Sequence, residues 1–301
     1  MTTTKLLVVI GGPTASGKTH AAARIATHFG TEVISADSRQ FYRAMRIGTA
    51  RPMEAELLGK KHHFLGHLEL EQTWSAGQFA REAEPVLQSI LKAHGIAILV
   101  GGSGLYIDAL TKGLDPMPLS DPRLRERLQA RHKQSGLGPL LKELEAHDAA
   151  TFARIDRNNP HRVIRALEVC LLTGKPFSEQ HTGAKDRQDL KLVRIAMDLP
   201  REELYRRIDQ RVDGMVVDGL VEEARSLLPF RELNALRTVG YRELFDHFDG
   251  QCTMEEAIVL IKQHTRNYAK RQMTWLRRDA GWTWHPPTDH ERHIAHVEAE
   301  R

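Results

Sequence analysis

Residues 5–19 read KLLVVIGGPTASGKT. The first six, KLLVVI, form a short, almost continuously apolar, β-branched run. That pattern predicts a strand buried on both faces of a parallel sheet. Residues 12–19, GPTASGKT, match the spacing Gly-x-x-x-x-Gly-Lys-Ser/Thr, and a helix is predicted to follow through about residue 28. A Gly-rich turn between a strand and a helix is the setting in which this motif cradles phosphate. Gly12 and Gly17 let the backbone of Pro13, Thr14, Ala15 and Ser16 curl, and the helix adds its positive N-terminal end. Lys18 supplies a mobile cation and Thr19 a hydroxyl that can ligate Mg²⁺. Gly12 to Thr19 are therefore the candidate pyrophosphate site. Lys18 and Thr19 are candidate catalytic groups, Thr19 is the candidate metal ligand, and Mg²⁺ is the expected cofactor.

Outward from this stretch, strand and helix alternate. EVISA (32–36), IAILV (96–100) and KLVRIAMDL (191–199) read as further buried strands, and residues 75–93 as a helix capped by Ser75 and kinked at Pro85. The Pro-rich DPMPLSDP (115–122) reads as a linker, followed by helix throughout 122–174. The last of these helices has Asn159 as N-cap, Pro160 at its first position and Gly174 beyond its end. Residues 173–189 are polar and loop-like. The expected fold is α/β, a P-loop NTPase-like parallel sheet core formed by 1–114 and 188–301, interrupted by a helical insertion domain at 115–187.

Two later helices are predicted. In 201–217, Leu204, Ile208, Val212 and Met215 recur at helical spacing. In 254–278, Ile258, Ile261, Thr265, Tyr268 and Trp275 share one face, and Lys262, Arg266 and Lys270 another. Residues 265–278 hold Arg266, Lys270, Arg271, Arg277 and Arg278 with no acid, a pattern that suits either nucleic-acid phosphates or a solvated helix face. Forty-three Lys plus Arg against 39 Asp plus Glu give a net charge of +4, which permits a polyanionic partner without demanding one. Cys170 and Cys252 form no CxxC pair, and no segment reaches membrane length, so a reducing cytoplasm is the expected compartment. HHFLGHLEL (62–70) places His62, His63 and His67 close together, but Gly66 and apolar alternation favour a structural loop over a metal site.

A P-loop specifies a pyrophosphate-like group, not hydrolysis. IAILV runs into Gly101 and Gly102 where a hydrolytic NTPase would carry a strand-borne acid. A transferase whose donor carries the phosphates is the better fit. Asp37, at the carboxyl end of the second strand, is the candidate general base. A loop-capping Asx-turn is the alternative at that position. Arg211 either reaches the pyrophosphate or completes a salt bridge.

Seven ordered blocks carry a resemblance: GPTASGKT, ISADSRQFYRAMRIGTARP, HHFLGHLEL, LVGGSGLYIDAL, NPHRVIRALEV, TVGYREL and TRNYAKRQMTWLRR. From about residue 8 to 278 the chain resembles the bacterial tRNA dimethylallyltransferases, also called tRNA isopentenyltransferases. The resemblance implies a dimethylallyl pyrophosphate donor, and as acceptor the exocyclic amine of the adenine 3′ of the anticodon in tRNA. It implies that Asp37 accepts the amine proton and that Ser38, Arg39 and Gln40 place the base. It assigns tRNA contacts to Ser103, Arg125, His161, Arg162, Val163, Ile164, Arg165, Arg237, Tyr241, Arg242, Lys270, Arg271, Gln272, Trp275 and Arg277. Arg51 and Phe41 depart from the expected Lys and aliphatic residue, and the zinc-finger tail of some eukaryotic members is absent. The protein is expected to act as a monomer away from membranes. A P-loop nucleotide or small-molecule kinase, and a non-catalytic RNA-binding P-loop protein, are the alternatives. The basic C-terminal helix fits the first poorly, and the intact GKT fits the second poorly.

Overall fold

A computed structural model describes residues 5–115, 117–180 and 186–301. The part of the predicted 173–189 loop at 181–185, residue 116 of the predicted linker, and residues 1–4 lie outside the described residues. In chain order the elements are β1 (Leu6–Gly11), α1 (Lys18–Phe29), β2 (Val33–Ser35), β3 (His62–His63), α2 (Ala76–His94), β4 (Ile96–Gly101), α3 (Gly104–Thr111), α4 (Pro122–Ser135), α5 (Gly138–His147), α6 (Ala149–Arg154) and α7 (Pro160–Thr173). They continue with β5 (Lys191–Met197), α8 (Arg201–Val217), α9 (Leu220–Leu227), α10 (Tyr241–Phe248), α11 (Met254–Leu276), β6 (Thr283–His285) and α12 (His290–Ala299).

The strands form one parallel sheet in the order β3-β2-β4-β1-β5-β6. β1, buried along its whole length, lies between β4 and β5, with Leu6 opposite Ile96 on one side and Lys191 on the other. From β1 the chain first builds outward on the β4 side and later on the β5 side. The carboxyl end of β1 is therefore a switch point, where open α/β sheets bind ligands. Two edge strands, β3 and β6, were not predicted. With two and three residues and one neighbour each, they are too short to show a period.

α2 begins at a Ser75–Gln78 capping box and runs through Pro85 without a break. The hydrogen bond that Pro85 cannot donate belongs to the carbonyl of Arg81. Both residues are on the exposed face, so the carbonyl left without a donor is open to solvent. The region predicted as helical from 122 to 174 is interrupted at Gly136, Asp148 and 155–159. Asp148 accepts from Thr151 N to cap α6 and also receives the amide and hydroxyl of Ser178.

Two compact units divide the chain: residues 1–111 with 187–301, and residues 112–186. The second has its own core, in which Leu128, Leu140, Leu144, Val163 and Leu167 are fully buried. In the first unit the chain leaves at Thr111 and resumes at Arg187, whose amide donates to the Thr111 carbonyl at 3.1 Å. The Arg187 guanidinium is held by Glu84 and Asp189.

α11 and α8 are tied by Lys262–Asp213 and Arg266–Asp209, each 2.6 Å. On α8, Leu204, Ile208 and Val212 are buried as their spacing predicts. On α11 the buried stripe is Ala257, Ile261, Ala269, Gln272 and Leu276, rotated from the predicted one. The predicted face instead puts Ile261, Thr265 and Tyr268 on a cavity wall. No helix among the described residues is long and apolar enough to cross a membrane.

Five histidines chain from α1 to the C-terminal elements, with ring centroids 5.0 Å apart for His20–His290, 5.8 Å for His290–His293, 5.7 Å for His293–His285 and 5.2 Å for His285–His296. His285 and His293 are buried, and their ring nitrogens make no hydrogen bond of normal geometry among the described residues. Burial, with the neighbouring histidines, pulls His293 down to about 4. Burial, Arg292 and His296 lower His285, while Asp289 acts against both shifts. A base whose folded pKa is depressed binds more protons unfolded, so stability falls as pH drops from about 6.5 toward 4. We expect thermal melts between pH 7 and 4.5 to show a steeper loss for the wild type than for His293→Leu. Parallel curves would show that this cluster does not set the acid limit.

Candidate active site

Residues 12–17 turn the chain from β1 into α1. Gly17 has φ 86°, where a side chain would be strained, and Ala15 has φ 64° despite its methyl group. The left-handed conformation at Ala15 costs roughly 1–2 kcal/mol. It is held by burial in a small apolar cluster with Leu204 and Ile208 of α8 and Ala269 of α11. Ser16 N closes the turn onto Pro13 O, and Lys18 Nζ folds back toward the same carbonyl at 3.4 Å. Enclosure lowers the Lys18 pKa to about 8. The Asp37 carboxylate opposes that shift and the Arg211 guanidinium adds to it. The cradle lysine thus lies within electrostatic reach of the candidate base. Thr19 sits half-exposed on the first turn of α1.

Asp37 follows β2, and its position is compatible with both roles considered for it. Its Oδ1 accepts from Arg39 N at 3.2 Å, an Asx-turn, and its side chain lines a cavity of about 330 Å³. Ser38 N donates to Ser103 Oγ at 3.1 Å, joining this loop to the one after β4. Tyr268 is a residue that the sequence placed only on a helix face, with no role at the site. It lines the cavity, bonds Ser103, and is pushed up to about 12 by burial and by the Asp37 charge, so it stays protonated. Its helical spacing alone gave no sign of this, because a cavity wall and a core face share one periodicity.

The cavity is lined by five arginines, Arg39, Arg211, Arg237, Arg242 and Arg271, with Asp37 as its carboxylate. Thr14 brings the cradle to the same wall. Arg211 thus stands at the cavity. Arg237, Arg242, Lys270, Arg271 and Arg277 are exposed. Arg39 donates to the carbonyls of Asn234 and Ala235, and Gln40 to those of Thr49 and Ala50, so both brace cavity-lining loops.

Several residues expected on the RNA-facing surface point elsewhere. Tyr241 is fully buried and donates its hydroxyl to Glu223, whose carboxylate also accepts the amides of Arg46, Ile47 and Gly48. Glu223 therefore anchors a cavity loop, a role its position in the sequence does not disclose. Gln272 is buried between two loops, and Trp275 donates to Asp108 while packing against Trp282. Arg266 is paired with Asp209. In the second unit, Val163 and Ile164 are core residues. Arg125 and Arg165 both grip the buried Glu168 at 2.6 and 2.8 Å, and His161 and Arg162 are exposed.

His62 bonds Lys60 O, His63 bonds Glu32, and His67 packs among Phe41, Phe64 and Trp74. Among the described residues no three His, Cys, Asp or Glu groups come together to hold a metal. Cys170 and Cys252 are free thiols.

The family model for IPP transferase matches residues 40–279. The tRNA dimethylallyltransferase of Christiangramia forsetii is 46% identical over 288 residues, covering 96% of this chain and 95% of its own. This chain belongs to the tRNA dimethylallyltransferase family. A second member, from Cytophaga hutchinsonii, is 44% identical over 98% of this chain and 97% of its own. The full-length tRNA isopentenylpyrophosphate transferase of Bacillus halodurans matches with a TM-score of 0.72 at 36% identity, over 98% of both chains. A eukaryotic dimethylallyltransferase acting on tRNA, at 24% identity and TM-score 0.82, shares the fold. Membership in this family favours neither the kinase nor the RNA-binding alternative. The departures noted for this family member are harmless. Phe41 is buried beside Phe79, and Arg51 donates to the carbonyls of Tyr42 and Arg43.

A Lys18 pKa near 8 has a binding consequence. A bound pyrophosphate raises that pKa, so above about pH 8 binding takes up a proton and weakens by up to tenfold per pH unit. Titration calorimetry with inorganic pyrophosphate at pH 7 and 9 measures this. Lys18→Arg, charged throughout, is expected to bind with a smaller loss at pH 9. Equal losses in the two proteins would exclude Lys18 as the titrating group.

Proposed function

We propose that this chain transfers a dimethylallyl group from dimethylallyl pyrophosphate to the exocyclic amine of the adenine 3′ of the anticodon in tRNA, releasing pyrophosphate. The observation that carries this reading is the meeting of the cradle (Thr14) and a carboxylate (Asp37) on one arginine-lined cavity. β4 meanwhile runs into Gly101, Gly102 and Ser103 with no acid for hydrolysis.

In this mechanism the allylic carbon–oxygen bond breaks and its electron pair leaves with pyrophosphate. Lys18 and the cradle amides stabilise the charge that grows on the departing oxygen, most strongly in the transition state. The adenine amine forms the new carbon–nitrogen bond and gives its proton to Asp37. That amine is a poor nucleophile because its lone pair is conjugated into the ring, so orientation carries much of the rate. The Tyr268 hydroxyl, kept protonated, is placed to donate beside the reacting groups. The cavity requires a base turned out of its stack, which is least costly in a single-stranded loop.

The Thr19 hydroxyl and the Ser16 hydroxyl, which makes no hydrogen bond among the described residues, fit Mg²⁺ carried in on the donor's oxygens, since Mg²⁺ needs few protein ligands. When bound, that ion would neutralise phosphate charge. Exposed Arg237, Arg242, Lys270, Arg271 and Arg277 are our candidates for tRNA contact, as are His161 and Arg162 in the second unit. We place the reaction in the cytoplasm and propose that a monomer suffices, because cradle, carboxylate and arginines come from one unit of one chain.

The test is transfer of radiolabel from dimethylallyl pyrophosphate into unmodified tRNA, with γ-labelled ATP as the competing donor. Label from the allylic donor alone is expected, and label from ATP would replace this reading with a kinase. Asp37→Asn should lower kcat by about 10²- to 10⁴-fold while tRNA affinity stays within about twofold. Turnover at the wild-type rate would remove Asp37 as the base.

A further inference from the structure

Gln272 lies inside a basic, RNA-facing segment of α11, between Arg271 on the cavity wall and Trp275, yet it is 5% exposed. Its side chain turns into the protein. Oε1 accepts from Thr14 N at 2.8 Å, and Nε2 donates to Gly102 O at 2.9 Å. One amide therefore bridges the loop after β1 and the loop after β4. The partners fix its orientation, since a flipped amide would set donor against donor and acceptor against acceptor.

The fit is close. A Cβ on Gly102 would stand 2.2 Å from Gln272 Nε2, so any larger residue there would expel the amide. Thr14 lines the cavity as part of the cradle. Ser103, next to Gly102, receives the amide of Ser38 and so holds the loop that carries Asp37. Gln272 thus touches the donor side directly and the acid side through one further residue, while its neighbour Arg271 faces the acceptor cavity.

We propose that Gln272 is a positioning residue that sets the cradle in register with the Asp37 loop, and is not a tRNA contact. The proposal rests on the transferase reading above. It demands both halves of the amide: an acceptor for Thr14 and a donor for Gly102. An apolar side chain of similar volume supplies neither. A carboxylate supplies the acceptor alone, and a protonated carboxyl supplies both.

The experiment uses the full chain with Gln272→Met and Gln272→Glu. We expect Gln272→Met to raise KM for dimethylallyl pyrophosphate at least about fivefold and to lower kcat at least about tenfold, with KM for tRNA within about twofold. For Gln272→Glu, activity relative to wild type at the same pH should recover as pH is lowered, because burial favours the protonated carboxyl. Gln272→Met should show no such recovery. Wild-type kcat and donor KM in Gln272→Met would overturn the proposal. So would a rise in tRNA KM with donor KM unchanged, which would make Gln272 an RNA contact after all. A flat relative pH profile for Gln272→Glu would overturn it as well, and this readout remains if Gln272→Met does not fold. Affinity for inorganic pyrophosphate is measured in parallel. If the wild type transfers no prenyl group, the transferase reading fails. Weaker pyrophosphate binding by Gln272→Met would then still support the link to the cradle, and unchanged binding would remove it.

Discussion

The structure turns on a backbone held in a conformation it would not choose alone. Ala15 lies in the left-handed region, and its methyl is buried with Leu204 and Ile208 of α8 and Ala269 of α11, two helices from far later in the chain. The phosphate-binding turn is written locally, but its shape is enforced from a distance. The parallel sheet makes this possible by presenting the ends of β1, β2 and β4 at one edge, where the later helices close over them.

Charge is distributed in keeping with that frame. Acids that pair with arginines away from the cavity, such as Asp209 with Arg266, lock helices together. Such partly exposed pairs contribute only about 0–1 kcal/mol each, so they fix geometry more than they add stability. At the cavity the balance reverses, with arginines in excess around the Asp37 carboxylate. Such a field gathers a polyanion and favours departure of an anionic leaving group near Lys18. The same field does not extend to every basic residue in the chain. Arg125 and Arg165 are both held by the buried Glu168.

Legibility in the sequence followed locality. β1, the GKT turn and β4 could be read because strand burial and motif spacing are short-range properties. The place of Asp37 at the cavity could be read because it follows closely on a buried strand. β3 and β6 could not, since a two- or three-residue edge strand exists only through its neighbour. Residue type also failed to give direction. Within NPHRVIRALEV the helix turns His161 and Arg162 outward but Val163 and Ile164 inward. Within TRNYAKRQMTWLRR it sends Gln272 into the protein and Tyr268 to the cavity. The resemblance implied tRNA contact for whole stretches of sequence, whereas a helix distributes each stretch around its axis. Glu223 escaped notice entirely, because its four donors come from the 46–48 loop and from Tyr241 of α10, which no sequence pattern connects to it.

The junction at Thr111 and Arg187 has an evolutionary reading. Because the outgoing and returning segments of chain meet at the Arg187 N–Thr111 O hydrogen bond, everything between them is topologically a long excursion from one point. The excursion brings its own apolar interior, so its folding does not borrow from the sheet. Such a cassette can lengthen, shrink or be exchanged while the ancestral core keeps its register. A lineage could thereby change what this unit presents to solvent without disturbing the sheet or the cavity of the first unit.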